Sequence, residues 1–151
     1  MPSCVVELPR GAANRTLAEA LLQMVDAHGC RLMGATILVA EDEAIVATDL
    51  AHWLRDEGAK VVVSTNLRDS LAKADLPDLT IGIVDHRFGQ QTSEQVCAKL
   101  DARGIPFIVY TAVSDIPTAC KHGVIVRKPA RVATLLDALV GMLRKNVSDQ
   151  A

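Results

Sequence analysis

Aromatic residues are scarce in this chain, at 3% of 151 residues with Trp53 the sole tryptophan. That scarcity argues against stacking platforms for single-stranded nucleic acid and leaves the core to Val, Leu, Ile and Ala. A dominant charge is lacking too: charged residues make up 23% and the formal net charge is -2. No broad attraction to nucleic acid or to an anionic membrane follows, so neither is expected as a partner. The four cysteines, Cys4, Cys30, Cys97 and Cys120, form no C-x-x-C pair and have no histidine at zinc-ligand spacing. Cys97 and Cys120 are therefore expected to be reduced, packed or half-exposed thiols. No apolar run is long enough to span a bilayer and no signal-peptide pattern opens the chain, so cytoplasmic location is the default expectation. Neither G-x-x-x-x-G-K-[ST] nor G-x-G-x-x-G occurs, which removes the common phosphate-cradling loops of nucleotide-binding domains.

What the chain does have is 50% hydrophobic residues, enough for one closed core without staples, arranged from Thr36 onward in a repeating pattern. Short β-branched runs alternate with amphipathic segments, as in a parallel sheet covered by helices on both faces. Five runs read as strands: Ile37 to Ala40, Lys60 to Ser64, Thr80 to Val84, Ile105 to Tyr110 and Val124 to Arg127. The second and fifth carry polar ends and belong nearer an edge. Between them, Glu43 to Glu57 places Ile45, Val46, Leu50, Trp53 and Leu54 on a helical stripe that stops at Gly58. Leu67 to Ala74, Ser93 to Ala102 and Val132 to Leu143 are further helices. Pro117 interrupts Ser114 to His122, where one helical turn or an irregular loop is expected.

The first 34 residues lie outside this alternation. Thr16 and Glu19 make a capping box, and Leu17, Leu21, Met24 and Val25 form an apolar stripe ending at Gly29. An extra N-terminal helix is expected there, either packed on the domain as a leader or serving a homodimer. The organisation reads as an extension over 1–34, a domain over 35–146 and a disordered tail over 147–151.

In open parallel α/β sheets the site lies beyond the carboxyl ends of the strands. There the first run is followed by Glu41, Asp42 and Glu43, the third by Asp85, the fourth by Thr111 and the fifth by Lys128. Gathered carboxylates repel unless a cation compensates, and hard oxygen ligands select Mg2+ or Mn2+. Lys128 can neutralise a phosphate oxygen and the Thr111 hydroxyl can hydrogen-bond another. Asp85, from the central strand, is then the carboxylate placed to attack in line. Each residue has a bland reading: Asp42 as a helix cap, Asp85 as a turn opener, Thr111 as a loop hydroxyl, Lys128 as a solvated charge. All four would have to hold together at four separate strand ends.

The ordered set Ile37-Leu38-Val39-Ala40-Glu41-Asp42-Glu43, Ile83-Val84-Asp85, Tyr110-Thr111-Ala112 and Arg127-Lys128-Pro129 resembles the receiver domains of two-component response regulators, from about Ala35 to Leu143. The resemblance implies a flavodoxin-like, doubly wound five-stranded parallel sheet in the order 2-1-3-4-5. It implies that Asp85 takes a phosphoryl group from a phosphohistidine on a sensor histidine kinase or a histidine phosphotransfer protein. Glu41 and Asp42 would hold the metal with Asp85 and the carbonyl of Arg87, Thr111 would be the switch hydroxyl, and Lys128 would pair with the acceptor.

Three positions depart from that pattern. Arg87 sits in an unusual loop, His86-Arg87-Phe88-Gly89, after the acceptor. Ile125 stands where receivers carry a switch Tyr or Phe. The stretch from Thr111 to Lys128 is short, which shrinks the fourth helix. His86 itself reads as a loop histidine, because adjacent strand-end side chains point to opposite sides. The leading expectation is a stand-alone receiver, since nothing of domain length follows Leu143. A pseudo-receiver that binds a partner independently of phosphorylation is the alternative. A phosphatase of the haloacid dehalogenase type wants an acid two residues after the nucleophile, where Arg87 stands.

Overall fold

Alternation of apolar residues along each strand fills two opposite faces of one sheet. The computed structural model describes residues 30–149, so the expected N-terminal helix and the last two residues lie outside the described region. Its elements are β1 (Thr36–Ala40), α1 (Ala44–Asp56), β2 (Lys60–Ser64), α2 (Leu67–Lys73), β3 (Ile81–Val84), β4 (Arg87–Phe88), β5 (Gln91–Thr92), α3 (Glu94–Ala102), β6 (Phe107–Thr111), a 3-10 helix (Thr118–His122), β7 (Val124–Arg127) and α4 (Val132–Asp149). The sheet is β2-β1-β3-β6-β7, all parallel, which is the order 2-1-3-4-5 of the five expected strands. The two runs with polar ends, β2 and β7, are its edges.

Ile37, Val39, Ile83, Ile108 and Tyr110 face one side, against Ala47, Leu50 and Leu54 of α1 and Leu135 and Leu139 of α4. Leu38, Ala40, Val84, Phe107 and Val109 face the other, against Val96, Cys97 and Leu100 of α3. Burial on both faces explains why the central runs are almost continuously apolar. Leu32, just ahead of β1, is also fully buried in the first of these clusters.

Gly58 ends α1 with φ +93° and Gly104 follows α3 with φ +68°, a left-handed conformation that glycine adopts without steric penalty. At the start of α2 the Asn66 side chain accepts a hydrogen bond from the Asp69 N–H at 2.8 Å. That cap satisfies a donor the helix itself cannot, so Asn66→Ala is expected to lower stability by about 1 kcal/mol in urea unfolding.

Four features differ from the sequence reading. Helix α4 continues to Asp149, well past Leu143 where the clear apolar stripe thins. Strand β6 begins at Phe107 rather than Ile105, because Pro106 has no N–H to give the ladder. The loop after Asp85 is a small antiparallel hairpin, β4 with β5, turning at Gly89 with φ +61°. The fourth difference concerns Cys97 and Cys120, which are not free thiols but a disulfide between α3 and the 3-10 helix. Both are fully buried and their Cα atoms stand 5.1 Å apart, within bridging range. Packing of the 3-10 helix against α3 brings them together, a juxtaposition that a separation of 23 residues does not reveal. The interrupted stretch at Pro117 does form only a short 3-10 helix.

Candidate functional site

Strands end where their ladders do, and here two neighbouring ends, those of β1 and β3, deliver three acids to one place. The Glu41 N–H bonds the Ser64 carbonyl at 3.0 Å and the Asp85 N–H bonds the Ala40 carbonyl at 2.9 Å, so both residues are fixed by the last rungs of the sheet. A ligand oxygen from each of Glu41, Asp42 and Asp85 lies within 4.8 Å of the others. Glu41 is buried, Asp85 partly covered and Asp42 exposed. The hairpin closes over this group, with the Gly89 N–H donating to Asp42 Oδ2 at 3.0 Å and the Arg87 N–H near Asp85 Oδ1 at 3.5 Å.

Lys128 arrives from the end of β7, its N–H held by the Thr111 carbonyl at 2.8 Å. Its Nζ donates to Glu41 Oε2 at 2.8 Å and to Asp85 Oδ2 at 3.2 Å, and lies 5.0 Å from the centre of the Tyr110 ring. Burial works against the ammonium, yet its hydrogen bond to Glu41 and the charge of Asp85 more than offset it and hold its pKa above the usual value. For Glu41, burial outweighs the Lys128 hydrogen bond and, reinforced by Asp85, pushes the carboxyl up from 4.5 to about 7. One ammonium thus does not fully compensate the acids. Three hard oxygen donors with a carboxylate still short of counter-charge fit a divalent cation.

The raised Glu41 pKa has a definite sign for stability. The folded protein holds this proton more tightly than the unfolded chain, so the contribution is complete below about pH 4.5 and is lost as pH rises through about 7. Glu41→Gln keeps the shape and removes the charge. In chelator at pH 8 it is expected to melt about 3 °C or more above the parent, with the difference vanishing by pH 4. Melting curves across that range check it.

Thr111 ends β6, and its hydroxyl hydrogen-bonds none of the three acids. It bonds His86 Nδ1 at 2.8 Å and accepts from the Val113 N–H at 3.2 Å. Arg87 is exposed on the hairpin. Sequence reasoning placed His86 in a loop with no role. The structure buries it at 5% exposure against Thr111, with Nδ1 3.6 Å from Asp85 Oδ1. Ile125 is 41% exposed on the edge strand, remote in character from an inward-turning aromatic.

Known proteins share this architecture. No family model matches the chain. It is 36% identical over 84 residues to the transcriptional regulatory protein PdtaR of Mycobacterium tuberculosis, spanning 52% of this chain and 40% of that protein. Against the sensory transduction protein RegX3 of Mycobacterium bovis it is 35% identical over 78 residues, spanning 51% of this chain and 34% of that protein. The chain therefore matches well under half the length of these relatives. Among solved structures, a CheY-like receiver domain protein from Methanospirillum hungatei superposes with a TM-score of 0.69 at 17% identity, covering 76% of this chain and 98% of that one. A response regulator from Burkholderia pseudomallei, determined with a phosphorylated aspartic acid, a calcium ion and citrate, gives 0.62 at 25% identity, covering 77% of this chain and 74% of that one. The fold is that of the response-regulator receiver domain, and over about half its length the sequence is similar to response regulators.

Proposed function

We propose that this domain accepts a phosphoryl group on Asp85 from a phosphohistidine donor, a sensor histidine kinase or a histidine phosphotransfer protein, in a Mg2+-dependent or Mn2+-dependent reaction. The observation that carries the reading is the convergence of Glu41, Asp42 and Asp85 beneath a single lysine that bonds two of them. An Asp85 carboxylate oxygen attacks phosphorus while the P–N bond to the donor imidazole breaks, and the ring nitrogen leaves with the electron pair and takes a proton from solvent. Glu41, Asp42, Asp85 and the carbonyl of Arg87 are the proposed metal ligands. The bound cation would supply neutralisation of charge on the phosphoryl oxygens. Lys128 is positioned to release Asp85 and take one of those oxygens instead, and Thr111 to bond another. We place the domain in the cytoplasm, where such donors act; no helix among the described residues is long and apolar enough to cross a membrane.

A second reading, a pseudo-receiver that binds a partner without phosphorylation, is favoured by the exposure of Ile125 in place of a switch aromatic. Amide resonances followed during titration with Mg2+ and then beryllium fluoride separate the two. The acceptor reading expects perturbations at Glu41, Asp42, Asp85 and Thr111 that are absent from Asp85→Asn. A parent spectrum unmoved at saturating Mg2+ and beryllium fluoride leaves only the binding module.

A further inference from the structure

The Thr111 hydroxyl is already engaged in the resting domain, and its partner is a buried residue whose ring makes no other hydrogen bond among the described residues. His86 Nδ1 bonds Thr111 Oγ1 at 2.8 Å, while His86 Nε2 is buried and has no hydrogen-bond partner among the described residues. Among the described residues Thr111 is thus the ring's one hydrogen-bond partner, with Asp85 Oδ1 standing 3.6 Å from the same Nδ1. Its main chain is tied elsewhere: the His86 carbonyl accepts from the Ser93 N–H at 2.8 Å. Ser93 precedes α3, is fully buried, and sets its hydroxyl 4.0 Å from Cys97 Sγ and 3.8 Å from Cys120 Sγ. A continuous path thus runs from the hydroxyl beside the acid cluster, through His86, to the bridge joining α3 and the 3-10 helix.

We propose that His86 is a positioning residue that latches the Thr111 hydroxyl in the unphosphorylated domain, and that phosphoryl capture at Asp85 moves that hydroxyl from His86 Nδ1 to the phosphoryl group. The inference rests on the acceptor reading of Asp85. When the hydroxyl leaves, Nε2 still lacks a partner among the described residues and Nδ1 keeps only Asp85 Oδ1, 3.6 Å away and beyond hydrogen-bond distance, so the buried ring and its main chain must readjust to satisfy it. Ser93 and the first turn of α3 are the groups tied to that readjustment. The exchange gives this chain a two-state element beside the site where Ile125, exposed on the edge strand, offers none.

The test reads the latch in two ways on the intact chain. In the parent, the His86 Nδ1 nitrogen resonance is expected to shift on saturation with Mg2+ and beryllium fluoride, towards its position in resting Thr111→Val. His86→Phe, which fills the space without a hydrogen bond, is expected to tighten beryllium fluoride binding about fivefold by freeing the hydroxyl. His86→Asn, with a polar atom near the Nδ1 position, restores the parent affinity, and in a Thr111→Val background His86→Phe has no further effect. A parent that binds beryllium fluoride with an unmoved His86 resonance overturns the latch and leaves the acceptor reading standing. So do His86→Phe and Thr111→Val effects that simply add. A parent that binds no beryllium fluoride at all overturns both.

Discussion

Asp85→Asn is expected to reduce phosphoryl uptake to background, with any donor. The amide nitrogen is no nucleophile and the amide oxygen carries no charge to attack phosphorus, so the step that forms the new P–O bond has no substitute group. Glu41 cannot take over. Its carboxylate is buried, bonded to Lys128 at 2.8 Å, and carries a raised pKa that leaves it partly protonated near neutrality. Asp42 is exposed but drawn towards the hairpin by the Gly89 N–H. The substitution should leave the fold intact, because the Asp85 main chain stays on the Ala40 carbonyl and Lys128 keeps Glu41 as a partner. Transfer of labelled phosphate from a phosphorylated histidine donor measures the loss, and far-ultraviolet circular dichroism checks the fold. Uptake by the Asn variant at the parent's rate would falsify Asp85 as the acceptor.

Removal of the Cys97–Cys120 bridge should produce the largest stability change. Closing a loop across 23 residues restricts the unfolded chain by an amount worth about 3 kcal/mol in the chain-entropy account. For a domain of this size that corresponds to a fall in melting temperature of about 10 °C. The bridge fastens the 3-10 helix, a short element that Pro117 keeps from growing, to α3, whose Val96 and Leu100 are fully buried against the sheet. Cys97→Ala with Cys120→Ala is expected to show the drop, and reductant is expected to bring the parent to nearly the same midpoint. A parent whose midpoint does not respond to reductant, with two free thiols by mass after alkylation, contradicts the bridge.

The fold is largely legible in the sequence because its strands are buried on both sides. Near-continuous runs such as Ile37 to Ala40 and Thr80 to Val84 can be satisfied only between two helical layers, and Gly58 and Gly104 mark helix ends by chain geometry. The acid cluster is legible for a related reason: strand ends in a parallel sheet converge on one edge, so Glu41, Asp42, Asp85 and Lys128 can be brought together from topology alone. Topology says nothing about where a side chain turns beyond the last ladder rung. The alternation rule sends His86 away from Asp85, but the hairpin that follows rolls the chain inward and leaves its imidazole on Thr111. The hairpin itself rests on two-residue strands, too short for any periodic signal. The Cys97–Cys120 contact depends on how a five-residue 3-10 helix packs, which local pattern does not encode.

Intact-mass analysis of the parent after incubation with Mg2+ and acetyl phosphate, followed by fragmentation of the modified chain, tests the proposed acceptor most directly. One phosphoryl group per chain, not incorporated when chelator is present during labelling and mapped to Asp85, is the expected result. No mass gain at saturating donor, or a gain mapped to any other residue, would contradict the account.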